Sequence, residues 1–472
     1  MAPLSTCVTA TLANASERRS IFGQYAQTPV YHKPVTVEAP IDEKGCLAVE
    51  LPLTEAKVLS VGPQREVKLF LEPGDQLHID ADLLNLPQSL HFSGQGAANN
   101  QFLAALRSRF SDYLRIDYKD LEVDTFRKTI EQRRVEMTRF LDEGCAQGGL
   151  TPAFIDYYRA EITYDWAKEL VSYPRNYERQ NGRENEALPE DYYDILDQFE
   201  LVDETAIGTS HYRTFLSRNF LRLWQEWHDQ PATKQMAAEE RRDQFETYVP
   251  YNHAKRTLRG KVLYFFLAGE IVRDFQYGLF NIGEQRWAEF RQDNPYPEYT
   301  EVVEEVVREA SKIKPGQPAP DFTLDDLEGQ SVSLSDFRGQ AVFLDFWASW
   351  CGPCIEAVPH LEELKQQTRD QKVVFLNISL DSADEWHQAV DEHGLTGVHV
   401  HAPGGRQSVV AQLYQVSGIP SYFLVGPDGR MDGHVDYVSD VEEVVSRIEK
   451  VASGQVPSSS PKSIRSEMVI RG

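Results

Sequence analysis

Short runs of alternating apolar and polar residues fill the first ninety or so positions. Residues 8–12, 47–51, 58–61, 67–71 and 78–82 each put every second side chain on one face, which is the period of a strand. Turn residues such as Glu72-Pro73-Gly74-Asp75 separate these runs, so residues 7–95 are expected to form a β-rich, sandwich-like module. From residue 96 the period lengthens. Phe102, Leu103, Leu106 and Phe110, and later Phe126, Ile130 and Met137, recur at helical spacings, predicting an α-helical region through 313. Thr151-Pro152 supplies a cap and a first-turn proline for a helix carrying Phe154, Tyr157, Tyr158, Glu161 and Ile162. That helix is expected to close at Tyr173-Pro174. Further helices are expected over 215–227 and 259–277. The many aromatic residues here could line a ligand groove, but a stripe at helical spacing more often builds core.

A third pattern follows the proline-rich joint Lys314-Pro-Gly-Gln-Pro-Ala-Pro320, and such stretches mark domain boundaries. Strands expected at 341–347 and 373–380 alternate with helices at 354–368 and 383–393. An antiparallel pair follows at 422–425 and 430–435, turning on Gly426-Pro-Asp-Gly429, and a closing helix at 441–451. Alternation of this kind is the mark of an α/β unit, here 314–452. Residues 453–472 are rich in serine, lack periodicity and are expected to be a disordered tail. The fold class is therefore multidomain, in three parts and a tail.

Charge and hydropathy narrow the partners. A formal charge of -25 over 472 residues repels phosphate backbones and anionic lipid, so no nucleic-acid partner is expected. No apolar run approaches the ~18 residues of a membrane span. No signal peptide is legible at the start, where a basic region followed by an apolar stretch is lacking. The early strand at 8–12 is how a processed protein begins, and a plain cytoplasmic start is the alternative.

Five cysteines, Cys7, Cys46, Cys145, Cys351 and Cys354, are too few for a disulfide-stapled scaffold. The first three read as small hydrophobes, with a Cys7–Cys46 bridge as a minor alternative. Cys351 and Cys354 are different. The segment Phe346-Trp-Ala-Ser-Trp-Cys351-Gly-Pro-Cys354 leaves an apolar strand and opens a helix. Cys351 then meets the unpaired N–H groups and positive dipole end, which favour its thiolate. Cys354 lies one turn on, placed to close a small disulfide and expel whatever Cys351 has attacked. Half a zinc site is the bland alternative. Zinc wants four ligands and no second cysteine pair exists, so no metal is expected, even with His399 and His401 on one strand face.

On these residues the C-terminal part resembles the thioredoxin superfamily. Trp350-Cys-Gly-Pro-Cys354 matches the thioredoxin active site, and residues 315 to about 450 resemble its TlpA/ResA-like, redoxin-related branch. The resemblance rests further on Pro315-Gly-Gln-Pro-Ala-Pro-Asp-Phe322, residues 334–339, Trp347-Ala-Ser-Trp350, Gly418-Ile-Pro-Ser421 and a long connection between Asp381 and Gly418. It implies a thiol–disulfide oxidoreductase with Cys351 and Cys354 catalytic. It implies a cis bond before Pro420, with Ile419 presenting its backbone to substrate. Trp350, Gly352 and Pro353 are the implied substrate contacts, and Pro359 shapes the active-site helix. That branch usually carries Glu three residues after the second cysteine. Ala357 stands there, and Glu356, ~100° round the helix, is poorly placed to replace it. Asp345 instead occupies the position of thioredoxin's buried acid, where burial raises its pKa and lets it exchange the proton of Cys354.

The resemblance implies disulfide-containing protein substrates, an upstream thiol electron donor and no cofactor. The Gly-Pro between the cysteines and Ile419 resemble reducing members more than oxidising ones. The whole three-part arrangement is similar to extracytoplasmic proteins of Bacteroidetes-type bacteria, implying a periplasmic or cell-envelope location. Two rivals stand beside this reading. One is a peroxiredoxin-like peroxidase, which needs Thr where Ala348 stands. The other is a binding or sensing protein that keeps the thioredoxin domain as a scaffold.

Overall fold

The computed structural model describes residues 5–15, 20–26, 30, 34–61, 67–86, 88–110, 116–182, 188–229, 250–416, 418–435 and 438–454. The tail expected over 453–472 lies outside these residues from 455 on. Alternating side chains in the first ninety positions build eight described strands: β1 (Thr6–Ala13), β2 (Ser20–Ala26), β3 (Pro34–Pro40), β4 (Cys46–Leu51), β5 (Lys57–Val61), β6 (Val67–Leu71), β7 (Gln76–Asp82) and β8 (His91–Gly94). They form two four-stranded sheets, ordered β4-β1-β7-β8 and β3-β2-β5-β6. Val8, Ala10 and Leu12 of β1, Leu77 and Ile79 of β7, Leu59 of β5 and Leu69 of β6 meet in one apolar core between the sheets, which makes the module a sandwich. Cys7 lies opposite Glu50 and Cys46 opposite Thr11. That offset of four rungs is ~13 Å at ~3.4 Å per residue, beyond the ~7 Å Cα limit for a disulfide. The Cys7–Cys46 alternative is thus corrected: both are free thiols, as is Cys145.

Helices follow: α1 (Ala97–Arg109), α2 (Val123–Gln147), α3 (Pro152–Asn181), α4 (Ser210–Asp229), α5 (Pro250–Thr257), α6 (Gly260–Gln276), α7 (Phe280–Asp293) and α8 (Pro297–Ala310). Two side-chain devices join α1 to the sandwich. The Asn100 amide donates to the Phe70 carbonyl and accepts from the Phe70 N–H, both at 2.8 Å, at the outer side of edge strand β6. Asn99 reaches both Glu72 and Thr151. Thr151 caps α3 by accepting from the Phe154 N–H, and its hydroxyl donates to Glu72 at 2.6 Å.

One boundary differs from expectation. α3 runs through Pro174 to Asn181 and ends on Gly182 at φ 65°. Pro174 forfeits a backbone hydrogen bond, yet Tyr173 and Tyr177 on either side are buried, and two buried rings outweigh one missing bond. The aromatics that raised the question of a groove are core. Phe154, Tyr173, Tyr192, Tyr212 and Phe215 are fully buried, and rings such as Phe126 and Tyr173 stack at 4.1 Å between centroids.

Backbone contacts divide the chain into two compact units, Met1–Leu267 and Ala268–Gly472, the division falling inside α6. In the second unit the proline-rich joint is tied down: the Gly316 N–H donates to the Met431 carbonyl, and the Ala319 N–H to that of Gly429. Then come β9 (Thr323–Asp326), β10 (Ser331–Ser333), β11 (Ala341–Trp347), α9 (Gly352–Gln367), β12 (Val373–Ser379), α10 (Ala383–His393), β13 (Val398–His401), α11 (Val409–Leu413), β14 (Ser421–Val425), β15 (Met431–Val435) and α12 (Val441–Ala452). The sheet order is β10-β9-β13-β12-β11-β14-β15. β11 is an interior strand, parallel to β12 and antiparallel to β14, and all seven of its residues are buried. α9 and α12 cover one face through Leu361, Leu364, Val444 and Ile448, packed on Phe343, Phe375, Tyr422 and Leu424. Among the described residues no helix is long and apolar enough to cross a membrane.

Candidate active site

The chain leaves the carboxyl end of β11 at Trp347, turns once and enters α9. Cys351 sits at the cap of α9, where its sulfur accepts the Cys354 N–H at 3.2 Å. Cys351 and Cys354 are joined in a disulfide across a Cα separation of 5.2 Å. Both are buried, while Gly352 and Pro353 between them are exposed. Pro353 lies in the first turn of α9, where a missing N–H costs nothing. The amino end of α9 therefore aims its free N–H groups at the outer sulfur, the arrangement that stabilises a thiolate.

Two other segments close on this sulfur. The Ile419–Pro420 bond is cis, and the Ile419 carbonyl oxygen lies 3.6 Å from the Cys351 sulfur. From the other side, Asp381, just past the end of β12, grips Ser349 in the turn before Cys351. Trp350 is 55% exposed, with the Arg406 guanidinium 5.4 Å above its ring. An apolar surface rimmed by a cation thus borders the disulfide.

Beneath α9, Asp345 is buried in β11 between Asn377 of β12 and Tyr422 of β14, its neighbours in register. Burial pushes its carboxyl up to about 7, with the Lys365 charge acting the other way. Such a group gains and loses a proton near neutrality. Glu356 is exposed, while Ala357 packs into the core under α9. Burial, with Lys365 second, lowers His399 to about 4, so it is neutral at pH 7. His399 turns to the Thr396 carbonyl and His401 to that of Asp381, so the two rings do not converge. Among the described residues no three His, Cys, Asp or Glu side chains gather as metal ligands would.

Residues 315–434 match the AhpC/TSA family. Over 144 residues the chain is 31% identical to the thiol–disulfide oxidoreductase ResA of Geobacillus thermodenitrificans, a match covering 30% of this chain and 81% of that one. The chain belongs to the ResA family of thiol–disulfide oxidoreductases. ResA of Bacillus subtilis is 32% identical over 120 residues, covering 25% of this chain and 65% of its own. Similar solved structures include a thiol–disulfide oxidoreductase from Bacteroides fragilis, 29% identical and covering 28% of this chain and 99% of that one at a TM-score of 0.26. The thioredoxin domain of one from Bacteroides vulgatus is likewise 29% identical, covering 29% and 97%, at a TM-score of 0.27.

The structure brings two further side chains beside these residues that sequence reasoning did not single out: Asp381 against Ser349, and Tyr422 opposite Asp345. The signal for Asp381 was strand pairing. β11 and β12 run in parallel with Trp347 opposite Ser379, so the residues just beyond both strand ends become neighbours.

Proposed function

We propose that this protein reduces disulfides in other proteins outside the cytoplasm, with residues 314–452 carrying the chemistry. Cys351 thiolate attacks a partner disulfide, forming a mixed disulfide and releasing one partner sulfur as a thiolate. Cys354 gives its proton to Asp345 and attacks Cys351, so the Cys351–Cys354 bond forms and the second partner thiolate leaves. The partner gains two electrons and the protein ends as the disulfide. An upstream thiol donor then returns the pair to the dithiol. Trp350, Gly352 and Pro353 border the incoming chain, and Ile419 and Pro420 offer it backbone.

The observation that carries this reading is the Cys351–Cys354 disulfide at the amino end of α9, facing the cis Ile419–Pro420 turn. Support for the reducing direction is the Gly-Pro pair between the cysteines. Support for the location is the likeness of the three-part arrangement to exported proteins. Insulin reduction by the full chain with a dithiol donor tests the activity, with Cys351→Ala as the blank. Equilibration in glutathione buffers tests the direction: a potential nearer that of thioredoxin, ~-270 mV, than that of DsbA, ~-120 mV, is expected. An oxidising value would reverse the direction. No insulin reduction from either redox state would favour the scaffold reading.

A further inference from the structure

We propose that the Tyr422 hydroxyl, joined to Asp345 through one bridging water, is a positioning group for proton transfer from Cys354; this rests on the role given to Asp345 above. The two residues face each other directly in the antiparallel β11–β14 pair, so their side chains leave the same side of the sheet. That side lies under α9. Tyr422 packs there in the cluster containing Leu361 and Leu364, its ring 5.6 Å from that of Phe343.

Both side chains are buried, Asp345 at 5% and Tyr422 at 3% exposure. Asp345 Oδ1 and the Tyr422 hydroxyl each lack a hydrogen-bond partner in the protein. Leaving either polar group unsatisfied in a core is costly. A single water between them serves both, receiving from the phenol and donating to the carboxylate.

Other groups around Asp345 are committed. Lys365, from α9, donates to Glu362 at 2.7 Å and to the Thr396 carbonyl at 2.6 Å. The Asn377 amide, from β12, donates to the carbonyls of Thr396 and Val398. His399, on β13, pairs in register with Asn377, one strand further away. The Tyr422 hydroxyl and the Trp347 indole N–H remain without a partner, and Tyr422 is the one directly opposite Asp345 in register. Burial, and after it the Asp345 charge, moves the ionisation of Tyr422 to higher pH, so the phenol stays protonated and able to donate.

A donor aimed at a carboxylate favours its ionised form, the form that must take the proton of Cys354. Tyr422→Phe keeps the ring and removes only the hydroxyl. Rapid mixing of the reduced protein with a model disulfide, across a pH series, separates attack by Cys351 from resolution by Cys354. In Tyr422→Phe the pH midpoint of the resolving step should rise by about one unit. Resolution at pH 7 should then slow about fivefold, as the ionised fraction of Asp345 falls from about half to about one tenth. The attack rate should be unchanged, which also reports an intact fold. In an Asp345→Asn background, Tyr422→Phe should add nothing. An unmoved midpoint, with Asp345→Asn still slowing resolution, overturns the role of Tyr422 alone. Wild-type resolution in Asp345→Asn overturns the role of Asp345 as well.

Discussion

Asp381 holds Ser349 three times over: the Ser349 N–H reaches both carboxylate oxygens at 3.0 Å, and its hydroxyl donates to one of them at 2.8 Å. The Ser379 hydroxyl binds the other oxygen at 2.9 Å. Ser349 is two residues before Cys351, so this buried carboxylate fixes the turn that leads to the Cys351 sulfur. Ser349→Ala should cost about 1.5–3 kcal/mol, the scale of a hydrogen bond to a charged group. It should also slow attack by Cys351 more than resolution by Cys354. Thermal unfolding and rapid-mixing kinetics on the same variant check both parts; equal slowing of the two steps would deny Asp381 its special hold on the outer sulfur.

Asp345→Asn should leave attack largely intact and slow resolution about 10²-fold or more, the usual range for a lost general base. Accumulation of the mixed disulfide is the signal. If Asp345→Asn resolves as fast as wild type, the exposed Glu356 becomes the next group to test.

The same substitution has a stability signature. The pKa of Asp345, about 7 in the fold against an ordinary 3.8, means that the folded chain keeps a proton which the unfolded chain releases between about pH 4 and 7. Stability therefore falls as pH rises through that window. About three units correspond to something on the order of 3–4 kcal/mol. Asp345→Asn removes this loss, so its Tm should exceed that of wild type at pH 8, with the gap closing towards pH 4. Parallel Tm curves across that range would mean that the carboxyl is not held protonated.

Cys354→Ala should trap partners. Cys351 keeps its place at the amino end of α9, but the sulfur that expels the partner is gone. Dithiothreitol-sensitive adducts should appear on non-reducing gels from the native host and be absent with Cys351→Ala/Cys354→Ala. Mass spectrometry of the adducts names the partners. Absence of adducts from the full chain under oxidising conditions would remove the main support for a dithiol reductase.

Thr151→Ala should destabilise the first unit by about 1–2 kcal/mol, through loss of the cap on α3. It also removes the hydroxyl that Glu72 accepts. Chemical denaturation of the full chain, compared with Thr151→Ser, separates the cap from mere packing. Thr151→Ser should restore most of the loss.

The legible parts of the sequence were those where local pattern and burial agree. β11 was bounded to the residue because an apolar run with Asp345 as its single polar member ends just before the helix-opening Cys-Gly-Pro. α10 was likewise bounded, by Ser382 at one end and Gly394 at the other. β2 and β3 went unnoticed because 20–26 alternates weakly, and because 34–40, where Val35, Val37 and Ala39 alternate with Thr36 and Glu38, opens and closes on proline. Pro174 misled because its local penalty was visible, whereas the burial of Tyr173 and Tyr177 was not. The cysteines and Pro420 could be found one residue at a time. Asp381 and Tyr422 could not, because each acquires meaning only from the strand lying beside it, and register is a property of the folded sheet.

The hold of Asn100 on Phe70 bears on how the chain behaves in a crowded solution. An outer strand such as β6 offers its free N–H and C=O groups to any passing chain, and sheets left open in this way grow by adding strangers. Here a side-chain amide occupies that backbone pair as one more rung would, but a rung that cannot be extended. The sandwich therefore borrows its selvedge from the helical region. Severed between residues 95 and 96, it would keep its core residues and lose its finished border, and self-association is the behaviour to expect of such a fragment.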